Sequence, residues 1–225
     1  MRYAFTLIEL LIVVSIIAVL AALLIPAVSL ARASAQNVSC LAHVRQVGIA
    51  ALGYTNDNDG WLCPLTWHYA DGSSLFWGTA LLPYVDGGAA YGAGGVFTDQ
   101  RTTSVFKGCP VAGATRGSRT ENTWNVGYGY TTTPGWRSGD ESAHVNWWGY
   151  SPVAMHHLQT VEMPSSVALL GDARQYFLPH RNGLDESIAL RHGGRSNLGF
   201  ADGHVASCDR DAVIEAVYGD RNPRK

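Results

Sequence analysis

Neither sign of charge dominates this chain, in which 16 basic residues stand against 18 acidic ones for a net charge of -2. That balance excludes the basic stripe expected of a nucleic-acid-binding surface. The nucleophile and zinc-protease patterns Gly-x-Ser-x-Gly and His-Glu-x-x-His are missing, so the sequence offers no catalytic machinery and no enzymatic activity is expected. Cysteine is scarce, with four residues and no Cys-x-x-Cys pair, which disfavours a metal cluster of the usual close spacing. Internal repeats and low-complexity tracts are also lacking, which excludes solenoids and disordered tails. Beyond the first thirty residues nothing is apolar enough for a second membrane span.

The N-terminus is the opposite case. Residues 10–25 are interrupted only by Ser15, and with residues 5–8 and 26–30 the run reaches the roughly 20 residues that cross a bilayer. Arg2 and the start amine precede it and Arg32 follows, so the distribution of positive charge weakly favours a cytoplasmic N-terminus with the remainder of the chain outside. Glu9 lies within this run. An ionised side chain in hydrocarbon costs several kcal/mol on most scales, so such an acid is a functional residue in search of a partner. A secretory signal cut after Ala33-Ser34-Ala35 would be shorter and would not carry Glu9. A plain anchor explains the length but neither Glu9 nor Pro26.

The segment Ala4 followed by FTLIELLIVVSIIAVLAALLIPA resembles the N-terminus of type IV prepilins and type II secretion pseudopilins. The resemblance implies cleavage between Ala4 and Phe5 by a prepilin peptidase and N-methylation of Phe5. Counted from Phe5, Glu9 is fifth and Pro26 twenty-second, the places of that family's assembly glutamate and helix-weakening proline. Ala4 departs from the family's usual Gly before the cut, yet is small enough for cleavage. The partners implied are the peptidase, sibling pilins or pseudopilins, an inner-membrane assembly platform and the membrane itself. In such an assembly Glu9 of one subunit neutralises the Phe5 amine of the next in a low-dielectric setting and so sets axial register. Pro26 lacks a donor and crowds the preceding turn, so a kink or local melting is expected there.

After Pro26 the helix is expected to run to about residue 54, with Leu41, Val44, Gly48, Ala51 or Leu52, and Thr55 as the stripe that packs on a sheet. A continuous helix of that length would reach roughly 75 Å at 1.5 Å per residue. Asn56-Asp57-Asn58-Asp59-Gly60 reads as the stop, with Gly60 at a positive backbone dihedral. A calcium loop is the weaker reading, because EF-hand spacing would place Thr55 first and Thr66 twelfth. Residues 61–152 are rich in Gly, Thr, Trp and Tyr and suggest short elements joined by long loops. Their aromatics invite a sugar-stacking role but are read as core filler.

Residues 167–170 read as a buried strand leading to Gly171-Asp172. Residues 197–200, Asp202-Gly203 and 204–207 read as a hairpin, followed by a helix capped by Asp209 or Asp211 with Ala212, Val213, Ala216 and Val217 on its apolar face. The same stretch contains His192, nine residues, then Asp202 and Gly203. It resembles the His-x9-Asp-Gly signature of a pseudopilin-like family expanded in planctomycetes and verrucomicrobia. His192, Asp202 and His204, with Asp172 on a neighbouring strand, offer three or four metal ligands. The favoured reading is plainer: Asp202-Gly203 forms the turn, and His192 bonds a loop carbonyl or the Asp carboxylate. No metal or cofactor is therefore expected. The segments CLAHVRQVGIAALGYTNDNDG, VFKGCP and GYGY also resemble that family; Cys40 and Cys109, which fall in the first two, are the expected disulfide pair, leaving Cys63 with Cys208.

The expected fold class is α+β and pilin-like: a long N-terminal helix, half membrane-spanning and half amphipathic, packed on a small antiparallel sheet with long loops. Residues 1–4 would be a leader, 5–30 the transmembrane or filament-core helix, and 31–225 an exported head whose helix 31–55 packs on the sheet. The expected role is a structural filament subunit; the alternative is a singly anchored exported domain that binds a glycan or metal without polymerising.

Overall fold

The structure, a computed structural model, describes residues 6–63, 66–68, 74–86, 109, 111, 128–131, 157–174, 177–178 and 188–218. The chain divides into two compact units, Met1–Val38 and Ser39–Lys225. Its first element, helix α1 (Leu7–Asp57), starts in the first unit and ends in the second.

The first unit is the apolar part of α1. Large aliphatic side chains from Leu7 to Leu30 are about half exposed or more, and the helix is long and apolar enough to cross a membrane. The helix runs through Pro26 without a break, so the expected local melting is not seen. Proline supplies no N–H to the carbonyl of Ala22, one turn back. The Ser29 hydroxyl donates to the Pro26 carbonyl at 2.8 Å, and Ser15 bonds Ile12 in the same way at 2.7 Å. Such back-bonding satisfies hydroxyls that would otherwise be unpaired in an apolar setting.

In the second unit α1 buries Cys40, Val44, Val47, Gly48, Ala50, Ala51 and Thr55. These recur every three or four residues, as one helix face requires. The stripe begins at Cys40 rather than at Leu41, which is only half-buried, and Leu52 likewise lies at its edge. The helix stops where the turn cluster predicts. The Asn58 N–H bonds the Tyr54 carbonyl at 3.0 Å, the Gly60 N–H bonds the Thr55 carbonyl at 2.9 Å, and Gly60 has φ 85°. A Cβ on Gly60 would collide with the His157 ring. That ring closes the corner, donating from Nε2 to the Asp59 carbonyl at 2.8 Å and meeting Trp61 edge-on.

A small hairpin, β1 (Thr66–His68) with β2 (Ser74–Phe76), leads directly into α2 (Trp77–Asp86). The main sheet has the order β5-β3-β4-β6-β7, formed by β3 (Tyr128–Thr131), β4 (Ala168–Asp172), β5 (Phe177–Leu178), β6 (Ser196–Phe200) and β7 (Val205–Cys208). All neighbours are antiparallel except the short edge pair β3 and β5, which is parallel. The closing helix α3 (Arg210–Tyr218) is capped by Asp209, whose carboxylate accepts the Ala212 N–H at 2.9 Å. Its buried face is Val213, Ile214, Ala216 and Val217; Ile214 takes the place expected of Ala212, which is exposed.

Every residue of β4 and β6 is buried, which marks a sheet covered on both sides. One core joins the α1 stripe to Leu81, Tyr128, Leu169 and Leu170, and the other joins α3 to Ala168, Leu198 and Phe200. Ala168 pairs with Phe200 but Leu170 pairs with Gly199, so two residues of β4 face one of β6. This bulge turns both Leu169 and Leu170 into the α1 core. Gly199 is the point of closest approach, since a Cβ there would lie 3.3 Å from Leu170 Cγ and Val44 Cγ1. The architecture is therefore the expected α+β one.

Leu170→Ala should lower stability by about 2–5 kcal/mol, because it empties a fully buried site. Ile49→Ala, on the exposed face of α1, should stay within about 0.5 kcal/mol. Gly60→Ala should cost about 1–3 kcal/mol from its positive φ alone. Thermal unfolding of the full chain in detergent micelles checks all three.

Candidate functional site

The chemistry of the head converges on Asp172, the last residue of β4, which is fully buried. A carboxylate in that position must have its oxygens satisfied by named partners. Oδ2 accepts the backbone N–H of Asn197 on β6 at 3.0 Å and lies 3.3 Å from Nε2 of His192. Oδ1 accepts the Cys40 thiol at 3.2 Å and lies 3.7 Å from an Arg191 guanidinium nitrogen. Arg191 is itself fixed, donating to the Ala173 carbonyl at 2.7 Å. His192 enters from the turn that precedes β6, where Gly193 and Gly194 take positive φ and the His192 N–H bonds the Arg195 carbonyl. Its backbone borders solvent while its side chain is only 2% exposed.

Cys109 completes the group, with Sγ 3.3 Å from His192 Nε2. One donor atom each from Cys40, Cys109, Asp172 and His192 lie within 4.8 Å of one another. Among the described residues this is the only group of three or more such side chains. The Tyr128 hydroxyl lies 3.4 Å from Cys40 Sγ. The two thiols are set apart: interaction with Cys40 holds the Cys109 thiol down, to about 6, while the same interaction and burial push the Cys40 thiol up. The hydrogen bond to Asp172 raises His192, and burial raises Tyr128.

A cysteine, a histidine and an aspartate in one place invite comparison with a nucleophile triad, but the geometry differs. In a relay the imidazole uses one nitrogen for the nucleophile and the other for the carboxylate. Here Cys109 and Asp172 both approach Nε2. The four side chains point at a common centre instead of forming a chain.

The Asp-Gly half of the C-terminal pattern lies elsewhere. Phe200 and His204 are joined by a backbone bond of 3.0 Å, and the Gly203 N–H bonds the Phe200 carbonyl at 2.9 Å, leaving a three-residue loop with Gly203 at φ 89°. A Cβ on Gly203 would also press on Leu52 of α1 at 3.0 Å. The Asp202 carboxylate accepts the His204 N–H at 3.1 Å and its Nδ1 at 2.5 Å, while the His204 ring stacks on Phe200. His192 and Asp202 therefore sit at opposite ends of β6, a strand that extends roughly 17 Å at 3.3 Å per residue. Asp202 makes the turn as expected; the carboxylate that His192 meets is Asp172, and neither Asp202 nor His204 joins it. Cys40 and Cys109 are neighbours as free thiols, whereas Cys63 and Cys208 belong to different cores.

At the other end of the chain, Ala4 and Phe5 lie outside the described residues. Thr6 precedes the first helical residue, and its hydroxyl accepts the Glu9 N–H at 3.4 Å. The Glu9 carboxylate reaches back to the Thr6 N–H at 2.8 Å and to its hydroxyl at 2.7 Å. This reciprocal arrangement is a capping box. Residues 1–25 match the family model of the prokaryotic N-terminal methylation motif. No curated protein and no solved structure matches the chain. The motif and the long apolar helix support a membrane-anchored precursor of prepilin or pseudopilin type, and suggest a structural subunit rather than an enzyme. Within the methylation motif Glu9 thus has a partner on its own chain, Thr6, which the spacing Thr-x-x-Glu encodes.

Asp172→Ala should lower stability by about 3–5 kcal/mol, because it removes the buried carboxylate that Arg191 and His192 meet. Asp202→Ala, at an exposed pair, should cost about 1 kcal/mol or less. Chemical denaturation of the two variants side by side measures the contrast.

Proposed function

We propose that this chain is a structural subunit of a type IV pilus or type II secretion pseudopilus-like filament. In this reading residues 1–4 are a leader on the cytoplasmic side, removed by a prepilin peptidase at the bond between Ala4 and Phe5. Residues 5–30 hold the subunit in the inner membrane and later form the filament core. Residues 31–225 form a periplasmic or extracellular head. The observation that carries the reading is the methylation motif over residues 1–25, on a helix whose aliphatic side chains are left uncovered from Leu7 to Leu30. A membrane covers such side chains before assembly, and sibling pilins cover them afterwards. The inner-membrane platform would transfer the subunit from one to the other.

Glu9 carries the register of assembly by pairing with the Phe5 amine of a neighbouring subunit. Within the single chain its carboxylate satisfies two donors of Thr6 at the exposed start of α1. This capping box favours a second reading, in which Glu9 serves only its own helix and the protein is a singly anchored exported domain. The two separate cleanly, since glutamine at the third helical position also closes a capping box but carries no charge.

Glu9→Gln should insert into the membrane like the parent and yet fail to appear in sheared filaments, and Glu9→Ala should behave alike. Filaments of Glu9→Gln at the parental level, scored by shearing and immunoblotting, would contradict the ionic role, whereas absence of the parent chain itself from sheared filaments would favour the anchored domain.

A further inference from the structure

We propose that Cys40, Cys109, Asp172 and His192 are the four ligands of a buried divalent transition-metal site in the head, with a donor set suited to zinc. The site stands independently of filament assembly, for all four residues belong to the unit Ser39–Lys225.

The geometry carries the assignment. Zinc takes four ligands in a tetrahedron at about 2.3 Å from sulfur and about 2.0–2.2 Å from nitrogen or oxygen, so neighbouring donors stand about 3.3–3.8 Å apart. Cys109 Sγ and His192 Nε2 stand 3.3 Å apart, and the two oxygens of Asp172 stand 3.2 Å from Cys40 Sγ (Oδ1) and 3.3 Å from His192 Nε2 (Oδ2), at or just inside that spacing, with one donor atom from each of the four residues within 4.8 Å of the others. Two thiolates, an imidazole and a carboxylate favour a borderline-soft ion such as zinc over magnesium or calcium, which prefer all-oxygen shells. Convergence on His192 Nε2 is also what a single ligand nitrogen needs, and it is what a catalytic relay lacks.

The surroundings agree. An outer layer is already built: Arg191 and the Asn197 N–H hold Asp172, and the Tyr128 hydroxyl reaches Cys40. Outer partners of this kind orient ligands and tune affinity.

A Cys40–Cys109 disulfide is the competing use of the same sulfurs. It would remove the thiol that donates to Asp172 Oδ1 and leave the buried carboxylate and imidazole facing a bond that needs neither. The ion instead employs all four groups. It ties α1 to β4, to the turn before β6 and to the segment bearing Cys109.

Cobalt(II) titration of the full chain, purified metal-free and reduced in detergent micelles, tests the site. The expected result is saturation at one equivalent with intense visible bands of tetrahedral cobalt and a thiolate-to-cobalt charge-transfer band, both bleached by zinc. Cys109→Ser should remove about half of the charge-transfer intensity, His192→Ala should weaken binding by at least about tenfold, and Cys63→Ser with Cys208→Ser should change nothing. Circular dichroism verifies folding of each variant. A folded, reduced parent that gives no charge-transfer band overturns the proposal, as do bands that persist undiminished in Cys109→Ser. Isolation of the native protein with a Cys40–Cys109 disulfide and no bound zinc overturns it as well.

Discussion

The head is organised around one buried charge. Asp172 ends the central strand β4 with no exposure, and the partners that make this tolerable come from three elements: Cys40 from α1, Asn197 from β6, and Arg191 and His192 from the turn before β6. A buried carboxylate without such partners would cost several kcal/mol. The requirement fixes how β4, β6 and α1 must meet, because a shift of any one of them would strand a charge. The apolar contacts around it, Val44 against Gly199 and Leu169 and Leu170 turned inward by the bulge, supply area but much less direction.

Helix α1 carries two unlike surfaces in one element. Its first half presents aliphatic residues with nothing over them, and its last turns bury a narrow stripe that begins at Cys40. Glu9 stands at the junction of chain start and apolar helix, where helix geometry leaves donors unsatisfied. The capping box makes the acid locally useful there without exhausting it, since a carboxylate accepts more bonds than the two Thr6 provides. A residue with that double capacity suits a subunit that passes from one environment to another.

Legibility in the sequence followed the range of the interactions. The apolar run, the Asn-Asp-Gly stop, the strand before Asp172, the hairpin at Asp202-Gly203 and the Asp209 cap are all encoded within a few residues, and the structure places each where the pattern puts it. The phase of the α1 stripe was legible only to within one residue, because Cys40 and Leu41 are both apolar and the deciding contact is with Asp172, 132 residues away. The four-residue cluster was legible only in halves, His192 with Asp172 among the candidate metal ligands and Cys40 with Cys109 as the expected disulfide pair, and nothing local joined the two. Its members are scattered along the chain, so neither metal-ligand spacing nor any paired-cysteine motif signals it, and the His-x9-Asp-Gly spacing points to the wrong aspartate. That spacing records a strand with a turn at each end: a glycine-built corner after His192, then β6, then the loop closed by Gly203.

The central claim is that the chain is a processed filament subunit, and the mass of its N-terminus tests it most directly. Intact-mass and N-terminal peptide mass spectrometry of the protein from its native membrane should find a chain that begins at N-methylated Phe5. A chain that begins at Gln36 would identify an ordinary secreted protein, and one that begins at Met1 a simple anchor; either result contradicts the account.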